Sequence, residues 1–167
     1  DQRNFLMRRI SVLIIFLLIG CVSQPTGTQT PTSLPSTAAE AQSVLIQFFD
    51  RLNEKQYAEA DVLYGGDYEQ LQIFSPEALD HPGLWADACE RAGLQCLSVR
   101  TATFKNLQGD TYIFQVEFSN PDGSLFVLGP CCGADETEMP PVSQFEYRVS
   151  RNSDGRFRVM DLPPYTP

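Results

Sequence analysis

The sequence predicts an α+β domain in which N-terminal helices pack on a curved antiparallel sheet, preceded by a signal peptide and a disordered tether. Apolar side chains recur at helical spacing between residues 41 and 52, which is typical of an amphipathic helix. Beyond Gln95 they alternate with polar side chains, as in half-buried strands. Turn-forming runs, such as Asn-Pro-Asp-Gly at 120–123, separate these stretches. Helices followed by hairpin-linked strands indicate an α+β architecture.

Residues 1–20 are predicted to be a signal peptide. Met7-Arg8-Arg9 forms a basic start, and an apolar run follows from Ile10 to Ile19. Ten helical residues rise about 15 Å, roughly half of a bilayer's hydrocarbon core, so the length fits a secretory segment better than a membrane span. The run ends in Leu18-Ile19-Gly20-Cys21, which resembles the lipobox of bacterial lipoproteins.

The lipobox resemblance implies cleavage before Cys21, acylation of this cysteine and insertion of its acyl chains into the lipid bilayer. It also implies an extracytoplasmic location, at the cell surface or the periplasmic face of a bacterial membrane. The alternative is an N-terminal anchor that is not cleaved.

The next segment, residues 21–37, is predicted to be a tether. It consists mostly of Ser, Thr, Pro, Gln and Gly, and such a composition cannot bury enough apolar surface to fold. Residues 38–167 then suffice for a single domain. The net charge of −9 argues against nucleic acid as a partner, because phosphate contacts need clustered Lys and Arg. Solubility alone is an alternative reason for the acidity.

Four helices are expected in the first half of the domain. Thr37 is expected to cap a helix over residues 38–54, with Glu40 completing a capping box. A shorter helix begins at Tyr57 and stops at a pair of glycines. A third is expected over residues 68–74, and the fourth begins at Pro82 and ends near a glycine at position 93.

The second half is expected to contain strands. The pattern predicts them at residues 96–107, 112–118, 125–128, 145–149 and 157–160. An irregular loop rich in proline and acidic residues is expected over 129–141. The loop around Phe126-Val-Leu-Gly-Pro-Cys-Cys-Gly, with the acidic run 135–138, forms the least generic surface. Loops held by a rigid scaffold often carry binding function, although a solvated connection is the alternative.

This order of elements resembles the nuclear transport factor 2-like superfamily, also called the cystatin-like roll. The resemblance lies in Ala41-Gln-Ser-Val-Leu-Ile-Gln-Phe-Phe-Asp-Arg-Leu-Asn, in Gln56-Tyr-Ala-Glu-Ala-Asp-Val-Leu-Tyr and in Gly155-Arg-Phe-Arg-Val. It implies a pocket between the long helix and the sheet. The superfamily includes ketosteroid isomerase, polyketide cyclases and dehydratases, but also non-catalytic binding and dimerisation modules, so the fold does not determine the function. The many phenylalanines favour a filled or narrow pocket.

Four cysteines follow the tether: Cys89, Cys96, Cys131 and Cys132. An even number in an exported protein predicts disulfides, with three possible pairings. We expect the segment of Cys89 and Cys96 to be cross-linked to the loop of Cys131 and Cys132. The alternative pairs Cys89 with Cys96 and leaves Cys131 and Cys132 to form a ring between neighbours. No metal site is expected, because these spacings do not match those of zinc ligands.

No convergent catalytic set is apparent. The only histidine is His81, and no Gly-x-Ser-x-Gly motif accompanies it. Asp161 is a weak candidate for a general base, since it occupies a position in the last strand pattern where an inward apolar residue is expected. Tyr64, Trp85, Tyr112 and Tyr147 could line a pocket, but aromatic side chains at this spacing more often belong to the core. No phosphate-binding motif is present, and no cofactor is expected.

The sequence therefore favours a membrane-anchored module that binds an unknown protein or small-molecule ligand without catalysing a reaction. A pocket enzyme of the isomerase or dehydratase type, with a buried carboxylate as its base, is the first alternative. An accessory domain of the envelope or cell wall is the second.

Overall fold

Four helices precede a four-stranded antiparallel sheet in the computed structural model, which describes residues 35–166. The predicted signal peptide, Cys21 and most of the tether lie outside the described residues. The helices are α1 (Ser36–Asn53), α2 (Tyr57–Leu63), α3 (Glu69–Phe74) and α4 (His81–Glu90). The strands are β1 (Ser98–Gln108), β2 (Thr111–Ser119), β3 (Phe145–Arg151) and β4 (Phe157–Val159). The predicted α+β class is confirmed.

Helix α1 buries one face against the sheet. The helical spacing in the sequence places its apolar side chains on that face, and the prediction is confirmed, since Ala38, Ala41, Leu45, Phe48, Phe49 and Leu52 are buried.

The predicted cap of α1 is wrong. The helix begins at Ser36, with Pro35 as the N-cap residue, and no side chain caps it. Pro35 has an extended backbone with φ −50° and ψ 139°, and its carbonyl accepts the Ala39 amide over 3.0 Å. Thr37 therefore lies within the first turn of the helix. Pro35, whose ring fixes φ, takes the N-cap position that was predicted for Thr37.

The sheet has the strand order β1-β2-β3-β4, so each strand pairs with its neighbours in the sequence. The pairing of β1 with β2 shifts register between Val99 and Thr101 and again between Phe104 and Asn106. Such irregularities bend a strand and increase its twist.

The predicted strand at 125–128 is wrong. Leu125 and Leu128 form only isolated bridges, to Ser119 and Val142 respectively. Phe126 is anchored by its amide, which donates to the Phe118 carbonyl over 2.9 Å, and its ring is buried. Alternation alone predicts a strand, but a strand also requires a continuous partner, and this segment changes partner within four residues.

The end of the described chain pairs with the connection between α4 and β1. Leu94 forms an antiparallel bridge with Tyr165, and the Gln95 amide donates to the Pro164 carbonyl over 2.7 Å. The Thr166 amide donates to the Gly93 carbonyl over 3.0 Å. Residues 164–166 are thus held to the connection between α4 and β1.

Candidate functional site

Aromatic side chains fill the interface between α1 and the sheet, where the family resemblance implies a pocket. Phe48 and Phe49 are completely buried. The Phe49 ring packs edge-to-face on Phe118 and Tyr147, with ring centroids 4.7 and 5.0 Å apart. Phe48 makes a similar contact with Trp85 at 5.5 Å. These contacts agree with the expectation of a filled or narrow space.

The four predicted pocket aromatics do not share one cavity. Trp85, Tyr147 and Tyr64 are buried in the hydrophobic core, and burial raises the pKa of Tyr147 well above its ordinary value. Tyr112 is half-buried, and its ring packs edge-to-face on Phe157 at 5.3 Å. Their role as core residues is therefore the one supported by the structure, although Tyr64 also borders a surface cleft.

Asp161 lies in that cleft, which encloses about 360 Å³. Its carboxylate accepts the Arg148 amide over 2.6 Å and the Arg148 Nε over 2.9 Å. This hydrogen bonding and the charge of Asp161 raise the pKa of Arg148 above its ordinary value. Both carboxylate oxygens accept hydrogen bonds from Arg148, so a substrate would compete with this arginine for the carboxylate.

A second polar cluster centres on Asp61, which sequence reasoning missed. Its Oδ1 accepts the Tyr68 hydroxyl over 2.6 Å and the Trp85 Nε1 over 3.3 Å, and it lies 3.6 Å from the His81 Nδ1. The His81 ring stacks on Tyr68 with centroids 3.8 Å apart. Burial, followed by the hydrogen bond to Asp61, raises the pKa of Tyr68.

The beginning of α4 positions this histidine. The Asp80 side chain caps the helix by accepting the Gly83 amide over 2.8 Å, which orients His81 at the first turn. His81 also borders a groove of about 530 Å³ together with Ser75, whose buried hydroxyl has no hydrogen-bond partner among the described residues. The cluster holds polar groups in fixed positions, but its contacts place no activated nucleophile beside the histidine.

The favoured cysteine pairing is wrong. Cys89 is bonded to Cys96, and their Cα atoms are 5.6 Å apart. The turn that ends α4 explains this pairing. Gly93 adopts a φ of 87°, and the Leu94 amide donates to the Ala88 carbonyl, so the chain reverses within a few residues. Cys131 and Cys132 remain unbonded, with sulfur atoms 2.7 Å apart.

The most distinctive surface is the segment 125–142, which we call the apolar loop. Leu128 and Val142 exchange two backbone hydrogen bonds of 2.8 and 2.9 Å, which close the segment at its base. Large apolar side chains remain exposed, with 38% to 48% of their surface in solvent: Leu125, Val127, Met139 and Val142.

Acidic residues lie in the same loop as these apolar side chains. Asp135 is part of the turn itself, since its carboxylate accepts the amides of Thr137 and Glu138 over 2.8 and 3.0 Å. Hydrogen bonds, first from the Thr137 hydroxyl, lower the pKa of Asp135. Glu136 and Glu138 are exposed. Within residues 35–166, no group of three or more His, Cys, Asp or Glu side chains is arranged to hold a metal ion.

Comparisons with known proteins leave the fold and the surfaces as the basis for a functional assignment. No protein-family model matches the chain, and no curated protein matches it in sequence. None of the helices in residues 35–166 combines the length and apolar character needed to cross a bilayer. The described part of the chain is thus a small α+β domain with a filled helix–sheet interface and an apolar loop.

Proposed function

We propose that this chain is a lipid-anchored extracytoplasmic lipoprotein whose domain binds a protein partner through the apolar loop without catalysing a reaction. In this proposal Cys21 carries the acyl chains, the segment from Cys21 to the start of α1 at Ser36 forms the tether, and the domain has the cystatin-like roll architecture. The helix-then-sheet order and the position of α1 against the sheet support this architecture.

The proposed extracytoplasmic location is supported by the disulfide between Cys89 and Cys96. Disulfides persist in secreted and envelope proteins and are rare where cytosolic thiols keep cysteines reduced. A bonded pair therefore agrees with export, which the pattern around Cys21 predicts independently.

The binding function rests on one observation, the apolar side chains exposed in the apolar loop. Exposed apolar side chains concentrated in one surface segment often mark a site of interaction, and acidic residues in the same segment restrict the choice of partner. Glu136 and Glu138 favour a partner with basic side chains around an apolar contact. An accessory role at the envelope or cell wall is one form that such binding would take.

The pocket-enzyme alternative depends on the cleft at Asp161. The cleft has a volume suited to a small molecule, which favours this alternative. The hydrogen bonds from Arg148 weigh against it, because they occupy the carboxylate that would serve as the base.

The anchor is tested by comparing the wild-type chain with the Cys21→Ser variant in cells. The wild-type chain is expected to pellet with membranes, to incorporate labelled fatty acid and to be processed in a globomycin-sensitive manner. The variant is expected to lose all three properties. A Cys21→Ser chain that still pellets with membranes would count against lipidation.

The binding surface is tested by a photo-cross-linking residue placed at Val127 in intact cells. A residue at Leu107 is the matched control, since Leu107 is also an exposed apolar side chain but lies on β1. We expect a discrete protein adduct from position 127 that disappears with Val142→Asp and is absent from position 107. Equal adducts from both positions, or none from position 127, would contradict the proposal.

A further inference from the structure

Two adjacent sulfur atoms lie at the surface of the apolar loop. Cys131 is half-buried and Cys132 is exposed. Their Sγ atoms are 2.7 Å apart. This separation lies between the length of a disulfide bond, about 2.05 Å, and the distance at which non-bonded carbon atoms pack, about 3.5–4.0 Å. The two sulfur atoms are therefore close enough for an oxidant to join them as a disulfide after a small movement.

The backbone of the loop produces this approach. Side chains of successive residues in an extended chain point to opposite sides. Here Cys132 has a φ of 62° and Gly133 a φ of 90°. The Ala134 amide donates to the Cys131 carbonyl over 3.0 Å and closes the turn. A left-handed conformation is uncommon for a residue other than glycine, and such residues cluster at functional sites.

The surroundings of the two sulfurs suit an incoming sulfur compound. Leu128, Met139 and Tyr165 line an apolar cleft of about 140 Å³ beside them. The hydrogen bond between the thiols raises the pKa of Cys131. Cys132 is the more exposed of the two thiols and therefore meets a reagent first.

We propose that Cys131 and Cys132 form a thiol–disulfide exchange site that is oxidised by a small-molecule disulfide. The Cys132 thiolate attacks one sulfur of the oxidant, forms a mixed disulfide and releases the first thiolate. Cys131 then loses its proton and attacks the Cys132 sulfur, which closes the ring and releases the second thiolate. Two electrons pass to the oxidant, and its two released thiolates take up the two protons.

The ring is expected to open again easily. The Cα atoms of neighbouring residues are about 3.8 Å apart, whereas those of disulfides are usually about 4.4–6.8 Å apart, so a ring between neighbours is strained. Strained and exposed disulfides are the more easily reduced ones. The Cα atoms of Cys89 and Cys96 are 5.6 Å apart, within the usual range for disulfides. This bond therefore serves as a reference within the same chain for how easily a disulfide is reduced. This exchange site does not depend on the proposed anchor or on the binding partner.

The test is a redox titration of the full chain carrying Cys21→Ser, so that the thiol at position 21 does not take part. The protein is equilibrated in graded mixtures of reduced and oxidised glutathione, free thiols are alkylated, and each cysteine is followed by peptide mass mapping. We expect an intramolecular Cys131–Cys132 disulfide that is reduced at least about tenfold more readily than Cys89–Cys96, a difference of about 30 mV for a two-electron couple.

A matched pair of glycine variants tests whether the turn matters. Gly133→Ala puts a side chain at a φ of 90° with no neighbouring atom within 4 Å, so it acts through the backbone alone. We expect it to lower the equilibrium constant for ring closure about tenfold. Gly129→Ala, in the same loop and equally free of neighbours but without a positive φ, is expected to leave this constant unchanged.

Three outcomes would overturn the proposal. The first is a separate glutathione adduct on each of Cys131 and Cys132 in place of the ring. The second is a ring as resistant to reduction as the bond between Cys89 and Cys96. The third is an equal response of the two glycine variants.

Discussion

Replacing Phe49 by alanine tests whether the space between α1 and the sheet is filled. Phe49 is completely buried, and its ring contacts Phe48, Phe118 and Tyr147 edge-to-face. Truncating a buried phenylalanine costs about 3–5 kcal/mol, which includes the lost transfer energy and the cavity left behind. A domain is stable by about 5–15 kcal/mol in total, so this one substitution removes a large share of the stability.

The assay for this prediction is equilibrium unfolding in urea. With a loss of about 4 kcal/mol and a slope of about 2 kcal/mol/M, the unfolding midpoint is expected to fall by about 2 M. Leu107→Ala is the control, since this side chain is 52% exposed and its truncation is expected to cost under about 0.5 kcal/mol. A loss of less than about 1 kcal/mol for Phe49→Ala would refute the packed interface.

A second measurement on the same variant distinguishes a filled interface from an open pocket. An engineered apolar cavity binds small apolar molecules, and a bound ligand raises the melting temperature. Benzene is expected to stabilise Phe49→Ala and to leave the wild-type chain unchanged. Stabilisation of the wild-type chain by benzene would show that an apolar pocket is already open, which the pocket-enzyme alternative requires.

Three further predictions concern stability. Gly66→Ala is expected to destabilise the domain by about 1–3 kcal/mol in urea unfolding, because the added Cβ would meet the Met160 carbonyl oxygen; an unchanged midpoint would contradict this contact. The double variant Cys89→Ser/Cys96→Ser is expected to lose about 2 kcal/mol, the chain-entropy value for a separation of 7 residues, and a wild-type midpoint would contradict it. Burial and a nearby carboxylate raise the pKa of Tyr57 to about 12. Its contribution to stability is therefore complete below about pH 10 and is lost as the pH rises towards 12. Tyr57→Phe should flatten the pH dependence of the free energy of unfolding between about pH 10 and 12. A profile identical to that of the wild-type chain would contradict the raised pKa of Tyr57.

The periodic spacing of apolar side chains in the sequence predicted the helix and the strands in which backbone geometry places those side chains on one face. The buried face of α1 follows from apolar side chains at every third and fourth position, because only a helix brings them together. The strands β2 and β3 follow from alternation in the same way. In contrast, residues 125–128 alternate but do not form a strand, because their bridge partners, Ser119 and Val142, belong to different parts of the chain.

The contacts that join distant residues could not be read from the sequence. Asp61 lies on α2, whereas His81 and Trp85 lie on α4, and only the packing of these helices brings them to one carboxylate oxygen.

The pairing of Cys89 with Cys96 depends on the reversal of the chain at Gly93, where the backbone adopts a positive φ. A glycine near a helix end is a sequence signal for such a reversal, and it would have favoured the local pairing.

The pairing of residues 164–166 with residues 93–95 has a consequence for dynamics. Amide hydrogens of exposed segments without regular secondary structure usually exchange with solvent almost at the rate of an unfolded peptide. The amide of Thr166 instead donates to Gly93, and that of Gln95 to Pro164. These two amides should therefore exchange slowly and together, because both are released only when residues 164–166 separate from residues 93–95.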